Sequence, residues 1–286
     1  MTDKKAALIT GGGGGIGGAM ARAVAARGIS VAIADLDGDA AERVAAEIVA
    51  ANGSGSAIGF AMDVAIEADC IASVARTEEA FGTCDILFNN AGIGVSSLRP
   101  DGERNLPSIQ EVTPEVLERF LSINLIGAYN MIRAATPGMT ERGWGRVINN
   151  TTSFITMLRV WPYGPLKAAF ESASAVWAKE LEGSGVTVNV LVPGGPVDTN
   201  FVAQDSGMDR ALMMQPEVMG PPAAWLASSD SDGITGKRYI AGFWDADRPE
   251  REAALEAGAP IGWPELGIAT RIWPGQPRGK GPGEGL

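Results

Sequence analysis

A parallel β-sheet covered by helices on both faces is the fold class this sequence predicts, and three observations carry that prediction. Short apolar runs alternate with helical stretches along most of the 286 residues, the pattern that βαβ units produce. The densest glycine block, residues 11–15, sits between the first apolar run and the first helical stretch. No linker or shift in composition divides residues 1–244, so one domain is expected there.

The elements follow in order. Ala6 to Thr10 reads as a buried strand, and the Ala-rich stretch 16–27 as a helix that Gly28 stops. A second strand over 29–34 ends at Asp35. A helix over 39–51, a strand over 57–61, a helix over 67–80 and a strand over 85–89 come next. Residues 96–109 carry Pro100, Gly102 and Pro107 and read as an irregular loop. Thr113, Pro114 and Glu115 form the cap and first turn of a long helix reaching about Ala135. Strand 146–150, helix 163–181, strand 186–192, a helix near 216–227 and a last strand near 238–241 complete the series. Residues 245–286 are rich in Gly and Pro and read as an irregular C-terminal extension. Within it, Trp263, Ile272 and Trp273 are expected to dock, because large apolar groups left in water are unfavourable.

Composition excludes several chemistries. Lys plus Arg number 23 against 34 Asp plus Glu, a net charge of −11, which disfavours nucleic acid and anionic membranes. No apolar run approaches the roughly 20 residues that span a bilayer, and the first ten residues lack the apolar core of a secretory signal. A cytoplasmic chain is therefore expected. Histidine is absent, which removes histidine-based triads and dyads and His-ligated metals. The two cysteines, Cys70 and Cys84, are too few for a metal cluster and are expected as free thiols; no metal site is expected. Acid–base work falls to Tyr, Lys, Asp, Glu, Ser or Thr.

Four motifs carry the chemistry. In the glycine block, Gly11, Gly15, Ile16 and Gly17 lie where a backbone can approach a pyrophosphate at a helix N-terminus. Asp35, at the end of the second strand, can hold both ribose hydroxyls of an adenosine and would repel a 2′-phosphate, with no Arg or Lys beside it to receive one. Asp63 and Val64 follow the third strand, and Asn90, Ala91 and Gly92 the fourth, at strand ends where open sheets bind ligands. In Tyr163-Gly-Pro-Leu-Lys167, the proline suits the first turn of a helix, so Tyr163 opens it and shares a face with Lys167. An ammonium near a phenol is expected to lower its pKa, giving a general base without histidine.

Together and in this order, these motifs resemble the short-chain dehydrogenase/reductase family over about residues 5–241. The stretch Val188 to Gly194 and Val197-Asp198-Thr199 are similar to that family's sixth strand and nicotinamide-side turn. The resemblance implies a single Rossmann-like doubly wound parallel sheet, NAD as cofactor, an alcohol or ketone as substrate, and a homodimer or homotetramer. It implies Tyr163 as the acid/base, Lys167 as its partner on the nicotinamide ribose, and Asn124 as holder of a relay water. Pro193, Gly194, Val197 and Thr199 would contact the nicotinamide end. The substrate-orienting hydroxyl is Ser153, ten residues before Tyr163, or else Thr152. The expected activity is an NAD-dependent oxidoreductase for a secondary alcohol or ketone of apolar or aromatic character. That character is read from Phe154, Met157, Leu158, Trp161, Phe201, Met208, Met213 and Met214. The alternatives are a 3-oxoacyl reductase of the same family, a non-catalytic dinucleotide sensor, or a methyltransferase with an adenosyl cofactor. The last has no use for the tyrosine and lysine.

Overall fold

The computed structural model describes residues 4–263. Ile272 and Trp273, and the Gly/Pro-rich end as a whole, lie outside the described residues.

Eight strands form one sheet in the order β3-β2-β1-β4-β5-β6-β7-β8. They are β1 (Ala6–Thr10), β2 (Ser30–Asp35), β3 (Ala57–Ala61), β4 (Ile86–Asn89), β5 (Gly145–Asn150), β6 (Val186–Val192), β7 (Lys237–Ile240) and β8 (Gly258–Pro260). All neighbours pair in parallel except β7 and β8. Strand order reverses between β1 and β4, which opens a crevice at their carboxyl ends. This is the parallel sheet that the alternation predicts, in the doubly wound, Rossmann-like form that the family resemblance implies.

The helices are α1 (Gly15–Ala26), α2 (Gly38–Asn52), α3 (Glu67–Phe81), α4 (Pro114–Leu121), α5 (Gly127–Glu141), α6 (Phe154–Arg159), α7 (Tyr163–Glu180), α8 (Gly220–Leu226) and α9 (Glu250–Ala257). One core lies between the sheet and α1, α2 and α8, with Ile9, Val24, Ile33 and Trp225 at its centre. The other lies under α3 and α5, around Leu8, Leu87, Met131 and Val147. Every residue of β1 and β6 is buried, as strands covered on both faces must be.

Local signals set the helix starts. The Asp37 carboxylate accepts the Ala40 N–H at 2.9 Å, and Thr113 caps α4 with Pro114 in its first turn. The long helix expected over 113–135 is interrupted by a π-helical turn, Ser122–Ile126, and then runs through Pro137 to Glu141. Met139, fully buried, anchors those last turns, so tertiary packing overrides the proline stop.

Two local departures stand out. The loop 150–163 contains α6, capped by Ser153. Residues 245–286, expected to carry no regular structure, begin with α9 and with β8, which pairs antiparallel to β7 through Arg238↔Ala259. Ala253, Ala254 and Ala257 bury the inner face of α9, and β8 finds its partner only at the free edge of the assembled sheet. Trp263 packs on Phe154, with ring centroids 5.5 Å apart, in keeping with the docking expected of it.

Among the described residues, no helix is long and apolar enough to cross a membrane. Nor does any group of three or more His, Cys, Asp or Glu among them stand ready to hold a metal ion. Cys70 and Cys84 are free and buried, and burial pushes each thiol up to about 12.

Candidate active site

A cleft of about 650 Å³ runs along the carboxyl ends of the strands. Its first end is built by the glycine loop. The helix α1 opens without a side-chain cap and without an acid in its first turn, leaving its amide groups to an anion. Gly11, Gly15, Ile16 and Gly17 all line the cleft. Gly17 is required by packing, since a Cβ there would stand 2.1 Å from the Gly11 carbonyl oxygen. Beside the loop, the Asp35 carboxylate accepts the Gly13 N–H at 2.9 Å and the Asp37 N–H at 3.1 Å. Asp63, Val64 and Ala40 complete this end, and the only cation lining the cleft among the described residues is Lys167, at the other end.

The floor is a ladder of amides across three strand ends. Asn90 Nδ2 donates to the carbonyls of Thr10 and Gly11, and Asn150 Nδ2 donates to Asn90 Oδ1 at 2.9 Å. The Thr10 hydroxyl accepts the N–H groups of Asn90 and Ala91. Ala91 and Gly92 are thereby held open to the cleft. Asn124 stands behind them, fully buried in the π-helical turn. Its Oδ1 accepts the Ile93 N–H and its Nδ2 donates to the carbonyls of Ile93 and Phe120. It buttresses the Gly92–Ile93 turn without lining the cleft.

Tyr163 opens α7, as the proline predicts, and Lys167 follows one turn later. Lys167 Nζ donates to the Asn150 carbonyl at 2.9 Å and lies 5.7 Å from the centre of the Tyr163 ring. The expected lowering of the phenol pKa is not what the structure shows. Burial raises it above the ordinary tyrosine range, the Glu103 carboxylate adds to the rise, and the Thr152 hydroxyl opposes it. Burial also brings the Lys167 ammonium down to about 8. Both groups lose more by desolvation than they gain from each other.

The choice between Ser153 and Thr152 turns on the same geometry. Ser153 Oγ is engaged at the start of α6, where it accepts the Thr156 N–H at 3.2 Å and meets the Thr156 hydroxyl at 2.9 Å. Thr152 lines the cleft with Tyr163, and its hydroxyl acts to lower the phenol's pKa. Its backbone is braced from behind by Arg238, whose Nη2 donates to the Thr152 carbonyl at 2.6 Å. Arg238 pairs at 3.0 Å with Glu171, a fully buried acid one turn beyond Lys167 that also accepts the Thr151 hydroxyl. Sequence reading overlooked this pair, because nothing local joins residues 171 and 238.

Pro193, Gly194, Val197 and Thr199 line the same cleft as Ala91 and Gly92, with Thr199 packed on Gly15. Of the apolar residues expected near the nicotinamide, Phe201 and Met208 line the cleft, and Phe201 packs on Tyr163 at 5.6 Å between ring centres. Met157 and Met213 are buried in the protein body, Phe154 packs against Trp263, and Leu158 faces solvent. Ile93, Val160 and Val202 take their place.

A Rossmann-like α/β protein with a tyrosine–lysine pair at one end of its cleft is thus defined. The protein belongs to the short-chain dehydrogenase family, whose sequence profile, described as "short chain dehydrogenase", matches residues 5–209. It is 33% identical to the 2,5-dichloro-2,5-cyclohexadiene-1,4-diol dehydrogenase of Sphingobium indicum, over 81% of this chain and 93% of that one. It is 29% identical to the cyclohexanol dehydrogenase of an Acinetobacter species, over 83% of this chain and 93% of that one. Among solved structures it resembles the 3-ketoacyl-(acyl-carrier-protein) reductase from Brucella melitensis complexed with NADH. The TM-score is 0.70 at 31% identity, over 82% of this chain and 95% of that one.

Proposed function

We propose that the protein is an NAD-dependent oxidoreductase of secondary alcohols and ketones, most suited to a cyclic, largely apolar substrate. One observation carries the reading. The Tyr163 phenol, the Thr152 hydroxyl and the Lys167 ammonium meet at one end of the cleft whose other end holds the glycine loop and Asp35. The uncapped amides of α1 fit a pyrophosphate, and the Asp35 carboxylate fits a ribose diol. The nicotinamide, when bound, supplies the acceptor or donor of hydride.

The protein's own residues handle the proton. Tyr163 takes it from the substrate hydroxyl in oxidation and returns it to the carbonyl oxygen in reduction. Thr152, in preference to Ser153, donates a hydrogen bond to the substrate oxygen and favours the phenolate. Lys167 supplies positive charge beneath the ring. Asn124 holds the Gly92–Ile93 turn open, and the relay water remains part of this reading. Ile93, Val160, Phe201, Val202 and Met208 form the apolar wall that suits a ring, in line with the cyclic alcohols in the relatives' names.

The test is the absorbance of reduced nicotinamide with cyclohexanol and NAD, and with NADP beside it. Thr152→Val is expected to cut turnover at least about tenfold and to move the alkaline limb of oxidation to higher pH, because the group that favours the phenolate is gone. Ser153→Ala is expected to lower thermal stability by about 1 kcal/mol through the lost cap, with a much smaller effect on turnover. The reverse ranking in steady-state kinetics would return the role to Ser153. Similarity to the Brucella reductase favours a second reading, reduction of a 3-oxoacyl group. Preferential turnover of a 3-oxoacyl thioester over cyclohexanone would establish it instead.

Self-association through α5 and α7 belongs to the same proposal. Tyr129 and Trp177 stack at 6.5 Å between ring centres on that face, and Tyr129, Val176 and Ile126 are exposed beside them. Sedimentation is expected to give a dimer or tetramer that Val176→Asp dissociates. A monomeric wild type would end this part of the reading.

A further inference from the structure

The catalytic end of the cleft contains a charged group that neither the proton chemistry nor cofactor binding uses. Asp35, Asp37 and Asp63 lie at the adenosine end, and Lys167 is engaged beneath Tyr163. Among the described residues, Glu103 alone brings a carboxyl to the apolar part of the cleft with Phe201, Val202, Met208 and Val160.

Its placement is built. Residues 95–105 fold as successive turns. The Gly102 N–H donates to the Arg99 carbonyl, and the N–H groups of Arg104 and Asn105 both donate to the Asp101 carbonyl. Gly102 is buried so closely that a Cβ there would stand 2.6 Å from the Val95 carbonyl oxygen. The loop is tied to the opposite lid by Arg104, which donates to the Gly207 carbonyl at 3.0 Å. Ser96 adds a second tie by accepting the Ala203 N–H at 3.4 Å. Burial raises the Glu103 pKa, and the Ser96 hydroxyl opposes the rise. Glu103 and Tyr163 line the same cleft, and the carboxyl raises the phenol's pKa. A substrate held at Tyr163 against Phe201 and Met208 therefore shares its part of the cleft with Glu103.

We propose that Glu103 determines specificity by accepting a hydrogen bond from a second hydroxyl of the substrate, so that the preferred substrates are diols and anionic substrates are rejected. The proposal rests on the alcohol oxidoreductase reading above. A half-buried carboxyl loses its water when substrate fills the chamber, and a hydroxyl restores its hydrogen bond. A substrate carboxylate in the same place meets like charge in a chamber of low dielectric.

The experiment compares kcat/KM for cyclohexanol, cyclohexane-1,2-diol, cyclohexane-1,4-diol and 4-hydroxycyclohexanecarboxylate in the wild type, Glu103→Gln and Glu103→Ala. Wild type is expected to favour at least one diol over cyclohexanol by about tenfold or more. Glu103→Ala should bring that ratio near parity, mainly through KM. Glu103→Gln keeps an acceptor, so it should retain part of the diol preference while turnover of the carboxylate rises. A diol ratio that is absent in the wild type, or unmoved in Glu103→Ala, overturns the proposal while cyclohexanol turnover keeps the oxidoreductase reading. If no compound is turned over with either cofactor, both fall together.

Discussion

Tyr163→Phe is expected to lower alcohol oxidation and ketone reduction by at least about a hundredfold, the scale of lost acid–base catalysis. The substitution keeps the ring that packs on Phe201 and removes only the hydroxyl. NAD binding, followed by fluorescence titration, should stay near the wild-type value. The pH profile gives an independent check on the sign of the effect. Burial raises the phenol pKa and keeps it protonated at neutral pH. Reduction, which needs the proton donor, should hold level across the neutral range. Oxidation needs the ionised phenol, so its rate should climb through alkaline pH and still be rising above about 8, where Lys167 gives up its own proton. Tyr163→Phe should flatten that limb. A variant that keeps most of its activity would remove Tyr163 from the mechanism.

Wild-type protein is expected to prefer NAD over NADP by roughly a hundredfold in kcat/KM, because like charges at hydrogen-bonding distance cost a few kcal/mol. The carboxylate is fixed by the N–H groups of Gly13 and Asp37, and no Arg or Lys lines that end of the cleft among the described residues. Asp35→Asn separates charge from geometry. The amide oxygen can still accept the Gly13 N–H, so the loop should stand, while the repulsion disappears. Discrimination should fall to about tenfold or less, chiefly by gain of NADP. Equal use of both cofactors by the wild type would refute the role given to Asp35.

Much of the site was legible because its parts are local. A glycine block after a strand, an acid at the next strand's end and a tyrosine one helical turn before a lysine each declare themselves within a few residues. Proline at 165 even placed Tyr163 at the first residue of α7. Asn124 enters only through the family resemblance, and its hydrogen bonds to Ile93 depend on a π-helical turn that no periodicity announces.

By itself, the sequence determined the parallel sheet, the cleft at its carboxyl edge, the glycine cradle and the tyrosine–lysine pair. Periodicity and strand-end chemistry act over a turn or two of chain. Tertiary structure alone put the Ser153 hydroxyl at the cap of α6 and brought the Thr152 hydroxyl to act on the ionisation of Tyr163. It brought Arg238 and Glu171 together behind Thr152. It also gave α9 and β8 an edge to complete, and carried Glu103 from an irregular loop into the cleft that Tyr163 lines. The direction of the Tyr163 pKa belongs with these. Desolvation sums over everything packed around a group, and those neighbours come from strands and loops far apart in the chain.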